Sequence, residues 1–134
     1  MSEVLDDFDQ WNSKKRKING KLIPKGLHFA EREIWWIAMG KNVGSEENGK
    51  NEDFERPGII FRRFGIDTLW IIPLTTSFPI VDDRREYQFS SDSIDQIADL
   101  AQLRLISSKR LLRRKGILNF KDFQNIRILL KELM

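Results

Sequence analysis

The sequence predicts a small, strongly bent β-barrel of the α+β class. Three observations carry this: five or so short apolar runs of strand composition, turn signals between them, and one strongly amphipathic helix at the C-terminal end.

Taken in order, the first element is a short amphipathic helix over residues 5–18. Leu5, Phe8, Trp11 and Ile18 fall near one face, and Lys14 to Lys17 turn mostly away from it. Asn19-Gly20 ends this helix, and residues 21–26, with Pro24, read as a linker. Residues 33–39, Glu-Ile-Trp-Trp-Ile-Ala-Met, have strand composition. A polar loop follows over residues 40–55, with Gly44 and Gly49; structureless loops of this length are uncommon and usually functional. Residues 57–64 predict a second strand, with Pro57 at its start, where a missing donor is tolerated. Gly65-Ile66-Asp67 is a turn and residues 68–74 a third strand, so the two form a hairpin. Residues 87–90 are a short strand. Residues 97–106 read as one strand, because Leu103 and Leu105 alternate with Gln102 and Arg104. Residues 107–115 predict a short basic helix ended by Gly116. The last element is a helix over residues 119–133, capped by Asn119, with Asp122 in its first turn. Its apolar face is Phe120, Phe123, Ile126, Leu130 and Leu133.

At 134 residues, with 40% hydrophobic and 32% charged residues, the chain is expected to fold as one ordinary globular domain. It has no cysteine, which removes disulfides and thiolate metal sites, and its one histidine, His28, disfavours a histidine-based zinc site. No cofactor is expected, and His28 is expected to be a surface linker residue. No apolar run approaches the ~18 residues of a membrane span, and the acidic N-terminus lacks a signal-peptide core, so a cytoplasmic protein is expected.

The net charge of +3 is unevenly spread. Residues 13–25 hold six basic and no acidic side chains, residues 28–83 six basic and ten acidic, and residues 84–134 eleven basic and six acidic. Basic flanks around an acidic centre suit a polyanion or an acidic protein partner, although a charge run such as Lys14 to Lys17 taken alone reads as a solvated face.

Two polar signals stand at the edges of apolar strands: Arg56-Pro57, and Thr75-Thr76-Ser77 after Ile71-Ile72-Pro73-Leu74. A guanidinium is a permanent cation whose donor fork matches phosphate oxygens, and a hydroxyl can hold or polarise a neighbouring oxygen. Together they suit a phosphodiester. On the residues alone, Arg56 reads first as a salt-bridge partner at a strand start, and the hydroxyls read equally well as ordinary strand ends.

Three blocks of sequence resemble the MazF/PemK family of toxins from bacterial toxin–antitoxin systems. The first is Arg32-Glu33-Ile34-Trp35-Trp36-Ile37 with the following Gly40, Asn42-Val43-Gly44-Ser45-Glu46 and Gly49-Lys50, similar to the family's opening strand and glycine-rich loop. The second is Phe54-Glu55-Arg56-Pro57-Gly58-Ile59-Ile60 with Pro73-Leu74-Thr75-Thr76-Ser77. The third runs from Ala101-Gln102-Leu103-Arg104 to Arg110-Leu111 and Gly116. The resemblance covers residues 29–134. Residues 1–28 lie outside it and resemble the N-terminal extension of a longer PemK-like subgroup.

The resemblance implies an SH3-like barrel that forms a homodimer. It also implies a metal-independent endoribonuclease that cuts single-stranded RNA by attack of the ribose 2′-hydroxyl, leaving a 2′,3′-cyclic phosphate and a 5′-hydroxyl. The implied partners are a cognate antitoxin protein, and operator DNA only as part of the antitoxin complex, with no membrane. Arg56 matches the catalytic arginine and Thr75 the catalytic threonine or serine. Thr76 and Ser77 would assist, Glu46 would order the covering loop or act as general base, and Gln102 and Arg104 would contact base, ribose or phosphate. Asp99, Leu100 and Ala101 stand where some members carry a charged catalytic residue before the glutamine, so an arginine-plus-aspartate variant does not carry over. Trp35, Trp36 and Trp70 could stack RNA bases, but core or interface is the favoured reading for all three: Trp35 and Trp36, adjacent on a strand, face opposite ways, one expected in the core and the other at a dimer or antitoxin interface. Two other functions remain open: a binding module for RNA or antitoxin, and a CcdB-like gyrase inhibitor. The second is disfavoured because no tryptophan follows Trp70.

Overall fold

A computed structural model describes residues 6–23, 27–42, 48–50, 54–76, 79–91 and 93–134. Along the chain run α1 (Asp7–Asn19), β1 (Glu33–Ala38), β2 (Glu55–Arg63), β3 (Thr68–Thr75), β4 (Glu86–Ser91), β5 (Ile94–Asp99), β6 (Arg104–Ser107), β7 (Leu111–Ile117) and α2 (Phe120–Leu133). Every strand pairing is antiparallel, in the order β4-β5-β3-β2-β1-β7, with β6 also on β3. Among the described residues β4 and β7 do not pair with each other, so the bent sheet is left open. The α+β class and the two terminal helices are as the sequence predicts.

The central strands are nearly continuous apolar runs because they are covered on both faces. On one face α2 lays Phe123, Ile126 and Leu130 over Ile34, Ile59 and Ile72. On the other, Trp35, Ile37, Ile60 and Ile71 pack with Phe29 and Ile106. The Asn119 side chain caps α2 by accepting from the Asp122 N–H at 2.8 Å. The Tyr87 hydroxyl donates to Asp122 at 2.6 Å and accepts from Asn125 at 3.0 Å, tying the helix to β4. Burial raises the Tyr87 phenol above its ordinary 10.0, with the Asn125 hydrogen bond opposing the shift. Phe120 and Leu133, expected on the apolar face, are exposed at the two ends of the helix.

The expected helix over residues 107–115 is overturned. Only a short 3-10 turn, Ser108–Arg110, precedes β7, which pairs along the whole of β1. The basic residues that suggest a solvated helix are instead strand residues with usable stems. Arg113 and Lys115, two apart and so on one side, both lie over the Trp36 ring, at 4.9 and 5.4 Å from its centroid. Gly116 lies inside the strand and ends nothing.

Residues 97–106 are likewise not one strand. β5 and β6 run antiparallel to the same strand, β3, but their registers differ by three residues. The 3-10 turn Leu100–Gln102 absorbs that offset. The alternation of the sequence reads the direction correctly and cannot show the insertion, which swings Gln102 out of the ladder.

The helix α1 docks through one large side chain. Trp11 is buried against Ala38 and Phe54, with the two rings 5.6 Å apart. Gly40 makes this possible: its φ is +81°, and a Cβ there would meet the Trp11 ring at 2.1 Å. His28 is exposed, as expected. No helix among the described residues is long and apolar enough to cross a membrane.

Candidate active site

Arg56 enters β2 as its second residue, directly opposite Ile37 of β1. It is 8% exposed, which for an arginine demands partners. Its Nε donates to the Asn48 carbonyl at 2.6 Å and its Nη1 to the Leu74 carbonyl at 3.0 Å. The guanidinium is thus fixed between the base of the 40–55 loop and the end of β3, one residue before Thr75. That loop base is itself held: the Gly49 N–H donates to the Gly40 carbonyl at 2.8 Å, and Lys50 pairs with Glu55. Phe54, with φ +51°, turns the chain into β2, and its carbonyl accepts from Met39 at 2.9 Å and Gly40 at 3.1 Å. A bulky residue in the left-handed region is strained, so the entry to Arg56 is over-determined by its surroundings.

Arg56, Thr75 and Thr76 line one cavity of about 260 Å³. Thr75 is half-buried and Thr76 exposed. Trp36, Lys50, Glu55, Pro57, Leu74, Ile94, Gln96 and Lys115 complete the lining. The tryptophan pair divides as expected, with Trp35 in the core. Trp36, however, faces this cavity. Trp70 is set edge-on to Phe64 at 4.9 Å, away from the cavity. Gln102 and Arg104 are half-buried and are not brought to the cavity lining. Glu46 and Ser77 lie outside the described residues.

Sequence reasoning misses Lys50, Glu55, Gln96 and Lys115. Glu55 is buried, and its carboxylate takes a two-pronged contact from Arg113, at 2.8 and 3.0 Å. This geometry favours the ionised carboxylate. The spacing of Arg113 and Lys115 around Trp36 is the signal that could have found β7 and hence Lys115. Nothing in the linear sequence singles out Gln96. The arrangement as a whole sets a fixed guanidinium and two hydroxyls beside a carboxylate and two lysines, a donor-rich hollow suited to a phosphate-bearing ligand with one group able to hold a proton.

No protein-family model matches the sequence, and no curated protein matches it. The fold does have solved counterparts. The crystal structure of MazF (form I) from Deinococcus radiodurans is similar with a TM-score of 0.62, covering 84% of this chain and 97% of that one at 14% sequence identity. The chain therefore has a MazF-like fold.

Proposed function

We propose that this protein is an endoribonuclease of the MazF/PemK type, the toxin half of a toxin–antitoxin pair, with Arg56 and Thr75 at the reacting centre. One observation carries the reading: the buried Arg56 guanidinium, fixed by two backbone carbonyls, shares a cavity with the Thr75 and Thr76 hydroxyls. Thr75 holds the scissile phosphate or the 2′-hydroxyl, and Thr76 assists. The 2′-oxygen attacks phosphorus as it gives up its proton, the bond to the 5′-oxygen breaks, that oxygen takes a proton from water, and the products are a 2′,3′-cyclic phosphate and a 5′-hydroxyl. Arg56 stabilises the charge that builds on the phosphorane oxygens, the kind of effect that is often the largest catalytic contribution. Among the described residues Glu55 is the carboxylate of the cavity, and we assign it the 2′-hydroxyl proton. Arg113 holds it in place through two hydrogen bonds. Glu46 and Ser77 keep the supporting roles that the resemblance implies, and Gln102 and Arg104 contact RNA beyond the cavity. Residues 29–134 form the toxin domain and residues 1–28 a helical arm and linker, basic from Lys14 to Lys25. A homodimer, and an antitoxin that covers the cavity, complete the reading.

One observation favours a second reading, a non-cleaving binder of RNA or antitoxin: the cavity's carboxylate is already engaged by an arginine. The same experiment separates the two. Wild type and Arg56→Ala are incubated with a long single-stranded RNA in EDTA and the fragment ends are mapped. Discrete cuts with cyclic-phosphate ends from the wild type alone are expected. Equal cutting by Arg56→Ala removes Arg56 from the site, and no cutting by either favours the binder.

A further inference from the structure

We propose that Gln96 selects the nucleobase beside the scissile phosphate by accepting an N–H from the base edge inside the cavity. The inference rests on the cavity being an RNA-cleaving site.

Gln96 lies on β5, one residue before Ile97, which is directly opposite Thr75 of β3. It is 3% exposed, yet it lines the same cavity as Arg56 and Thr75. Its Oε1 is buried and has no hydrogen-bond partner among the described residues. Buried carbonyl oxygens are almost always paired, and an exception calls for a cause. A carboxamide kept only for packing is replaced at no loss by a leucine, so an unsatisfied one facing a functional cavity marks a ligand contact. The missing group must bring a donor. A phosphodiester carries none, and the donor nearest to it in RNA, besides the 2′-hydroxyl claimed by the reaction, is the ring or exocyclic N–H of a base. Trp36 and Ile94 line the same hollow and give the flat face of that base an apolar wall. A carboxamide joins an acceptor to donors on one rigid plane, which is how amide side chains tell bases apart.

The test cleaves a pool of randomised single-stranded RNA and reads the bases around each cut, with wild type, Gln96→Leu and Gln96→Glu, while thermal melting follows the fold. The expected result is that Gln96→Leu flattens the preference at one position next to the cut, a loss of about ten- to a hundredfold in discrimination, while the other positions and the kind of end produced stay the same. Its melting temperature stays level or rises, because an unpaired buried oxygen has been removed. Gln96→Glu, with acceptors only, shifts the same position toward guanine, whose ring N1–H and amino group set two donors side by side. An unchanged preference in both variants overturns the role of Gln96 while leaving the ribonuclease reading intact. A fall in melting temperature with equal slowing at all sequences overturns it too, as a structural role. If wild type neither cuts the pool nor binds it in a mobility-shift assay, the RNA reading and this inference fall together.

Discussion

Arg56 and Thr75 are legible in the sequence because each is marked by its own neighbours, a proline after one and a strand end before the other. Glu55 and Gln96 reach the same cavity only through strand register, which local spacing does not encode. The pair of Glu55 with Arg113 makes an asymmetric prediction. Glu55 is buried and Arg113 about half-exposed. Arg113→Ala strands a buried carboxylate and is expected to cost about 2 kcal/mol. Glu55→Gln leaves an arginine that water can reach, and should cost less than half as much. Urea denaturation of the two variants checks the order, and equal losses would mean that burial does not govern this pair.

At the level of elements, the strongly periodic ones are read correctly: α1, α2 and the β2–β3 hairpin. The failures occur where two periodicities compete. In β7, three consecutive basic residues mimic a helix surface because long cationic stems suit a strand next to an aromatic ring equally well. Between β5 and β6, three extra residues leave the alternation intact on both sides. The docking of α1 depends on an element boundary that a sequence reader passes over. Gly40→Ala combines a positive φ with a collision against Trp11. It is expected to destabilise the protein by about 3 kcal/mol and to release α1, made visible as a red shift of Trp11 fluorescence and protease cutting near residue 20. A variant with native stability and an uncut α1 would mean that the ring can move aside.

Across the whole molecule, the composition predicts the class, and the charge distribution bears on partners rather than on shape. The open path of the sheet is not legible, since closure depends on edges that are far apart in sequence. The basic arm has a role only if its cations meet a polyanion. Lys15, Arg16 and Lys17 are exposed on α1. Replacing all three by glutamine should weaken RNA binding and reduce the slope of log affinity against log salt by about 2. An unchanged slope would return these residues to the role of solvated surface.

The open sheet also has a consequence for how the chain limits growth at its edge. β7 ends the sheet, and an unpaired strand edge is a template on which a second chain can grow. Arg113, Arg114 and Lys115 sit consecutively on that edge strand. The same charges that hold Glu55, Glu33 and Trp36 in place make two such edges repel. Charges so placed on an edge that stays unpaired among the described residues are expected to oppose strand-to-strand aggregation.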